Sequence, residues 1–500
     1  MTSLSIIRGA VCAAAIISAG AVSADVTAAD VWTNWQESLA IYGQDGLTVG
    51  SEVMAGDTLT VSGIVMSMKD DVSDVTMTLG DLAFTENGDG TVSIAMAPSY
   101  PIQVNAQDGS VIKMSVTQSG MTLTASGTPS AMSYDITADQ YGISIDEISE
   151  DGAPLDADIR LIANNVVGNY VVAKDTQRTM TYGLSAGSLD ILADVIPPET
   201  PGDYLTFSGK LMGLSTTSTT TTPLEFSDSS PETLFAEGFA FEGGYSYQSA
   251  GYLFDVQVEG EKSSGTASTG AGTLRGSMSD RAVSYDSLTN DLAVNVQGGG
   301  VPFPIEMSLA QYGIGFEMPL GKTDEPADFG LRVNLTDLNV NDTIWAMADP
   351  AGALPRDPAT LLLNLSGKAK LFFDLMDPEP EEAVMAAEIP GELTALTLNN
   401  LMLKLGGAEL TGVGDFTFDN SDLETFDGLP RPKGEVSVNI KGANALVDSL
   451  VKMGLIPEDQ AMMGRMMMGM FARTTGDDEL TSKIEVNDQG HVIANGQRIQ

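Results

Sequence analysis

The chain has 500 residues, of which 24 are basic and 68 acidic, for a formal charge of −44. That excess argues against nucleic acid or an anionic membrane surface as a partner held by charge, because the long-range field repels both. Hydrophobic residues at 43% with charged residues at 18% exclude a disordered chain, and 53 glycines suit short strands and turns.

Residues 1–24 read as a secretory leader. Arg8 supplies positive charge, Gly9 to Val22 form an Ala/Ile-rich apolar run, and Val22-Ser23-Ala24 matches the small-x-small cleavage pattern. The run is shorter than the roughly 20 residues a membrane-crossing helix needs, and an uncleaved anchor is the alternative reading. Cleavage after Ala24 would remove Cys12, the single cysteine, so neither disulfides nor thiolate metal sites would hold the mature chain together. Its stability is then expected from apolar burial.

A first β-rich module is expected over 25–200. Val31 to Tyr42 has helical spacing, with Trp32, Trp35 and Leu39 on one side, and suits a helix covering one end of a sheet. Leu82 and Phe84 lead into Glu86-Asn87-Gly88-Asp89-Gly90, and the same parity returns at Val92, Ile94 and Met96, which predicts a hairpin. Strands follow at Ile112 to Val116, Met121 to Ala125 and Tyr141 to Ile145. Short loops between them predict an antiparallel meander with one apolar face.

Between 201 and 232 the pattern loosens through Pro201-Gly202, the run Ser215 to Thr222 and Pro223, and reads as a connecting segment interrupted by a strand at Leu205 to Leu211. A second β-rich module is expected over 233–435. There Gln311-Tyr312-Gly313-Ile314 echoes Gln140-Tyr141-Gly142-Ile143, and Ser284-Tyr285-Asp286 echoes Ser133-Tyr134-Asp135, which fits repeated strand units. Its strongest element runs from Leu393 to Phe418. Gly406-Gly407 allows the positive φ of a tight turn and sets Leu405 opposite Ala408 and Leu403 opposite Leu410. Leu401, Leu403, Leu405, Leu410, Phe416 and Phe418 then share one face, a candidate apolar groove or core face.

The last part, 436–500, opens with a strand at Val436, Val438 and Ile440 and continues with helical spacing from Ala443 to Met453. Pro457 opens a second helix, to about Ala472, crowded with Met462, Met463, Met466, Met467, Met468, Met470 and Phe471. Flexible, polarisable methionine makes it a candidate lid, although burial against the end of the sheet is the expectation with more weight. A final hairpin turns at Asn487 to Gly490. The fold class is therefore mainly β with a few helices (α+β), an elongated, curved antiparallel sheet of repeated strand units with C-terminal helices.

Chemical motifs are weak. Gly183 to Gly187 fits G-x-S-x-G, but the only histidine is His491, at the opposite end of the chain. Ser110-x-x-Lys113 and Ser449-x-x-Lys452 lack the companion motifs of a lysine-activated serine, and Gly321-Lys322-Thr323 lacks the first glycine of a phosphate loop. The turn at Glu86 to Asp89 offers oxygen ligands without the spacing of a calcium loop. No catalytic residue, cofactor or metal site is expected.

The stretches DTIWAMADPAGALPRDPATLLLNLSGKAKLFFDLMDP (342–378), LNNLMLKLGGAELTGVGDFTF (398–418), GLPRPKGEVSVNIKGANALVDSLVKMGLI (428–456) and NDQGHVIANG (487–496), with the hairpin at Leu82 to Met96, resemble an uncharacterised family of Gram-negative periplasmic proteins, catalogued as domain of unknown function 2125. That family is in turn distantly similar to AsmA-like proteins, whose repeated strands form a long sheet with an apolar groove linked to phospholipid transport. The resemblance implies a periplasmic, non-catalytic binding protein holding phospholipid or another apolar ligand. The alternatives are a structural or interaction protein of the cell envelope with a packed core and, ranked behind it, an outer-membrane barrel or an enzyme.

Overall fold

The computed structural model describes residues 25–39, 46–69, 73–106, 108–150, 153–197, 200–224, 231–375 and 391–500. The expected leader, with its cleavage site and Cys12, lies outside the described residues, as do residues 40–42 of the expected first helix. Among the described residues the chain forms one sheet of 27 strands and five helices: α1 (Ala28–Leu39), α2 (Pro231–Ala236), α3 (Asp342–Ala348), α4 (Ala443–Lys452) and α5 (Glu458–Phe471).

The sheet is an antiparallel meander. Ala131–Glu150 pairs with Ala153–Lys174, which pairs with Arg178–Ile196, which pairs with Tyr204–Thr222. Tyr204–Thr222 then pairs along one half with Ala240–Tyr247 and along the other with Ser249–Val258, two pieces of one row separated by Gln248. The run Ser215 to Thr222, expected to loosen into a connection, instead continues that strand and is paired on both sides. Threonine's branched side chain is at home on a pleated surface, and this preference prevails over the low complexity of the run. The sheet thus passes from the first expected module into the second without a break at 201–222. No pairing among the described residues joins the first strands to the last, so the sheet is open.

The apolar alternation within single strands changes phase part-way along. In Ala153–Lys174 the apolar side chains occupy odd positions at Ile159, Leu161 and Ala163 and even positions at Val166, Tyr170 and Val172. The residue between the two phases, Asn165, has φ 52°. Pairing skips it together with its neighbour: Asn164 meets Ser188 and Val166 meets Ala186, leaving Gly187 out. The next strand skips Gly213, at φ 63°, in the same place, between Ala186–Leu214 and Ser188–Met212. The line runs back through Gly120 (φ 61°) and forward through Asp291 (φ 52°) and Asp337 (φ 54°), so a crease of left-handed residues crosses the sheet. An extra residue flips the side-chain parity of a strand. When adjacent strands carry it side by side, both flip together and the apolar side chains stay on one face.

The core lies at the N-terminal end. Val61, Ile64, Leu82, Phe84, Val92, Ala125, Met132 and Val172 are fully buried, with Val31 and Trp32 of α1 packed on them. Trp32 and Trp35 approach the Phe84 ring at 5.8 and 5.6 Å between centroids. The Thr27 hydroxyl accepts from the Asp30 amide and the Asp30 carboxylate accepts from the Thr27 amide, a reciprocal cap that starts α1. The Tyr134 hydroxyl donates to the buried Asn34 side chain at 2.8 Å. The hairpin expected at Leu82 to Met96 forms, with Phe84 opposite Ile94 and Glu86 opposite Val92.

The two sequence echoes occupy unlike positions. Tyr134 and Tyr141 stand on one strand, whereas Tyr285 and Tyr312 stand on neighbouring strands.

The crease can be tested at Asn165. Asn165→Val is expected to lower stability by about 1–2 kcal/mol, the cost of holding a side chain with a branched Cβ in the left-handed region, while Asn165→Gly leaves it within a few tenths. Urea denaturation of both variants checks this; equal stability of the valine variant would show that no left-handed residue is required there.

Candidate apolar binding face

Cross-strand register places the expected groove residues together. Leu405 faces Ala408, Leu403 faces Leu410, Leu401 faces Gly412, and Phe416 faces Leu396. Phe418 follows on the same side, opposite Pro432. Carried from strand to strand, the same face receives Leu361, Leu363 and Leu365, then Leu331, Val333 and Leu335, then Ile314 and Phe316, then Tyr285. It continues to Leu274, Tyr245, Thr216 and Leu184, and reaches Tyr170 and Tyr134 beside the core. One apolar face therefore runs from the N-terminal core to the C-terminal strands.

Among the described residues only its beginning is covered. α1 closes it over the core, whereas Leu161, Tyr182, Leu331 and Leu403 are exposed, Ile314 is 46% exposed and Leu405 50%. Each such side chain forgoes part of the roughly 1.5–3 kcal/mol that full burial would contribute. The opposite face is charged, with ion pairs at Asp286–Arg332, Asp328–Lys368 and Lys404–Glu409. Solubility is thus assigned to one side of the sheet and apolar surface to the other.

Aromatic rings on the apolar face lie down over glycines of the neighbouring strand. A Cβ placed on Gly209 would stand 2.9 Å from the Tyr252 ring, one on Gly272 2.3 Å from the Tyr247 ring, one on Gly265 2.6 Å from the Phe254 ring, and one on Gly367 2.4 Å from the Phe329 ring. These glycines are needed for the space they leave, and the covering rings shield bare backbone. Sequence reading missed this device, because a glycine and its aromatic cover are distant in the chain and meet only through register.

The C-terminal helices stand beside the Gly406-Gly407 turn. A Cβ on Gly406 would lie 3.1 Å from Leu446 of α4 and 3.4 Å from Leu354 of the loop after α3. The Asp349 carboxylate accepts from the Ala353 and Leu354 amides at 2.9 and 2.7 Å, which shapes that loop. The Asp478 carboxylate accepts from the Asn444 and Ala445 amides at 3.1 and 3.0 Å, fixing the start of α4. α5 is tied to α4 by the Arg465–Asp448 ion pair, and its last carbonyl, on Phe471, accepts from the Ser482 hydroxyl and the Asn495 side chain.

Within α5 the methionines are not packed. Met462, Met463, Met466, Met467 and Met470 are 54–68% exposed, and only Ala461 is buried. The weightier expectation, a helix buried against the end of the sheet, is therefore corrected: α5 docks through Ala461, Phe471 and its ion pair. Methionine's flexible thioether chains allow the exposed arrangement at little conformational cost.

The weak motifs find ordinary places. Ser185 lies in mid-strand and its hydroxyl donates to the Val167 carbonyl at 3.2 Å. Lys113 pairs with Glu147, and the Lys322 amide donates to Asp374. The Asp89 carboxylate accepts from the Thr91 hydroxyl and amide, which hold it below the usual carboxylate range. No group of three or more His, Cys, Asp or Glu side chains suited to a metal ion occurs among the described residues.

Residues 254–494 match the model of an uncharacterized protein family conserved in bacteria, domain of unknown function 2125. Over this span the chain is similar to that family. The family's span begins in the strand Ser249–Val258 and takes in most of the exposed apolar face, α3, α4 and α5. It contains the segments 342–378, 398–418 and 428–456 and all but the last two residues of 487–496, whereas the Leu82 to Met96 hairpin and the α1-covered core precede it. No curated protein matches the chain. No described helix is long and apolar enough to cross a membrane, which leaves strands untested in that respect.

Acid should release α4. Burial works to raise the Asp478 carboxyl, but the amides of Ala445 and Asn444 outweigh it and hold it below its ordinary value. A depressed carboxyl stabilises above the unfolded-state value of about 3.9 and loses that contribution as pH falls through the lower folded-state value. Hydrogen exchange at Asn444 and Ala445 is expected to accelerate there, after correction for intrinsic rates, and in Asp478→Ala at neutral pH. Unchanged protection would remove Asp478 from this role.

Proposed function

We propose that the protein is a non-catalytic carrier of the bacterial periplasm that holds the acyl chains of a lipid along the open face of its sheet. The observation that carries this reading is the single apolar face, continuous through the register and half-exposed beyond the α1-covered core. Monomeric proteins rarely leave apolar patches above a few hundred Å² uncovered unless something binds there. A sheet face accepts acyl chains lengthwise, and the rings lying over glycines keep it free of obstructions. The exposed methionines of α5, beside the Gly406-Gly407 turn at one end of the strands, suit an element that meets lipid as it enters or leaves. The leader read at 1–24 and the distant AsmA-like resemblance support the compartment and the ligand class.

A second reading has its own observation. The edge strand Ser51–Ala55 is exposed at every position and, among the described residues, pairs on one side only, with Thr58–Lys69. Such an edge can accept a partner's strand, which favours an envelope interaction protein.

Native mass spectrometry of protein taken from envelope extract, followed by organic extraction, separates the two. Stoichiometric lipid is expected. Leu403→Asp combined with Leu331→Asp, at exposed positions where folding is preserved, is expected to reduce bound lipid at least tenfold. A lipid-free protein recovered with a stoichiometric protein partner would favour the second reading.

A further inference from the structure

Midway along the apolar face five tyrosines surround one cavity of about 480 Å³: Tyr245 and Tyr247 come from one strand and Tyr252, Tyr285 and Tyr312 from three others, and Leu189, Leu211, Leu214 and Leu274 add apolar wall. Five of the chain's twelve tyrosines thus meet at one place, which makes it distinct from the leucine-rich stretches on either side. Register confirms that they share the face, since Tyr245 stands opposite Leu274, Tyr247 opposite Gly272, Tyr252 opposite Gly209, Tyr285 opposite Phe316 and Tyr312 opposite Leu335. Their rings are held by stacking: Tyr245 on Tyr247 at 6.5 Å, Tyr252 on Phe207 at 6.1 Å and Tyr285 on Phe316 at 5.8 Å between centroids.

The hydroxyls are what packing does not explain. Tyr247 lies within 3.4 Å of the Thr269 hydroxyl and 3.5 Å of the Thr289 hydroxyl. Those of Tyr245, Tyr252, Tyr285 and Tyr312 have no hydrogen-bond partner among the described residues. A phenylalanine would serve the apolar face equally well at each position. Four phenols around a cavity lined otherwise by leucines, Thr216, Thr273, Ser287 and Thr289 offer donors to a ligand's acceptors. Burial, and then the neighbouring phenols, raise the Tyr245 and Tyr252 hydroxyls above their ordinary value, so they stay protonated and able to donate.

We propose that this cavity is the station for the polar junction of the bound lipid, with the tyrosine hydroxyls donating to the ester carbonyls that join its acyl chains to glycerol. The inference rests on the acyl-carrier reading and specifies its ligand as an ester-linked diacyl lipid. Uncharged donors suit carbonyl oxygens in a protein whose strongly negative charge disfavours an anionic group at the same place. A cavity of this size, open to the leucine-lined stretches on both sides, takes the junction while the chains lie along the face.

The experiment compares two probes of matched chain length by native mass spectrometry and fluorescence displacement: a zwitterionic diester phosphatidylethanolamine and its diether analogue, which lacks the carbonyls. The wild-type protein is expected to bind the diester at least tenfold more tightly. The combined variant Tyr245→Phe, Tyr252→Phe, Tyr285→Phe and Tyr312→Phe, which keeps every ring, is expected to bind both probes with the wild-type's diether affinity. Should it fail to fold, as judged by circular dichroism, the pair Tyr285→Phe and Tyr312→Phe is expected to lose at least half of the preference on a logarithmic scale. Equal wild-type affinity for the two probes, or a preference retained in the folded variants, overturns the station while leaving the carrier reading intact. Binding of neither probe overturns both.

Discussion

The whole structure depends on adjacent strands inserting their extra residue at the same point. A parity flip confined to one strand would send half its apolar side chains to the charged face and leave ladder groups unpaired. Because Asn165, Gly187 and Gly213 are skipped side by side, the flips cancel and each strand presents one apolar side along its full length. The left-handed conformation of Gly120, Asn165, Gly213, Asp291 and Asp337 explains why Gly, Asn and Asp recur there. One backbone requirement therefore creates both the length of the strands and the continuity of the apolar face.

Upon that face, composition follows from geometry. Glycine is abundant partly because Gly209, Gly265, Gly272 and Gly367 make room for rings from the next strand. The rings in turn protect backbone that a glycine-rich sheet would otherwise bare. The acidic surplus sits with the few basic residues on the other side and at loops, where water solvates it. The ion pairs Asp286–Arg332, Asp328–Lys368 and Lys404–Glu409 thus stand on one side of the sheet and the exposed leucines on the other.

Much of this was legible. The Gly406-Gly407 hairpin, with Leu405 opposite Ala408 and Leu403 opposite Leu410, follows from alternation about a turn, and α4 and α5 follow from spacing and from Gly454 and Pro457. Phase breaks were harder. Ile112 to Val116 and Met121 to Ala125 form two strands as expected, but that they lie in one row, with Gly120 between them, was not visible. A change of parity has two causes, a strand end or a bulge, and only the neighbouring strand distinguishes them. The tyrosine cavity could not be seen for a related reason: Tyr285 and Tyr312 are distant in sequence from Tyr245, Tyr247 and Tyr252 and join them only through register. The exposed methionines of α5 escaped because apolarity all round a helix ordinarily signals burial.

The meander has a consequence for growth. Taken as rows, with split strands counted together, each row of the sheet pairs only with the rows on either side of it, so the assembly is nearly one-dimensional, and its cohesion is a sum of neighbour terms that starts from the α1-covered core. A hairpin could be added to or removed from the middle without disturbing distant rows, provided it carried its own inserted residue at the crease. Each such hairpin would lengthen the face by roughly 10 Å, given a strand spacing of about 4.8 Å. The length of the apolar face is thus a quantity that evolution can tune two strands at a time, as one lengthens a ladder by adding rungs.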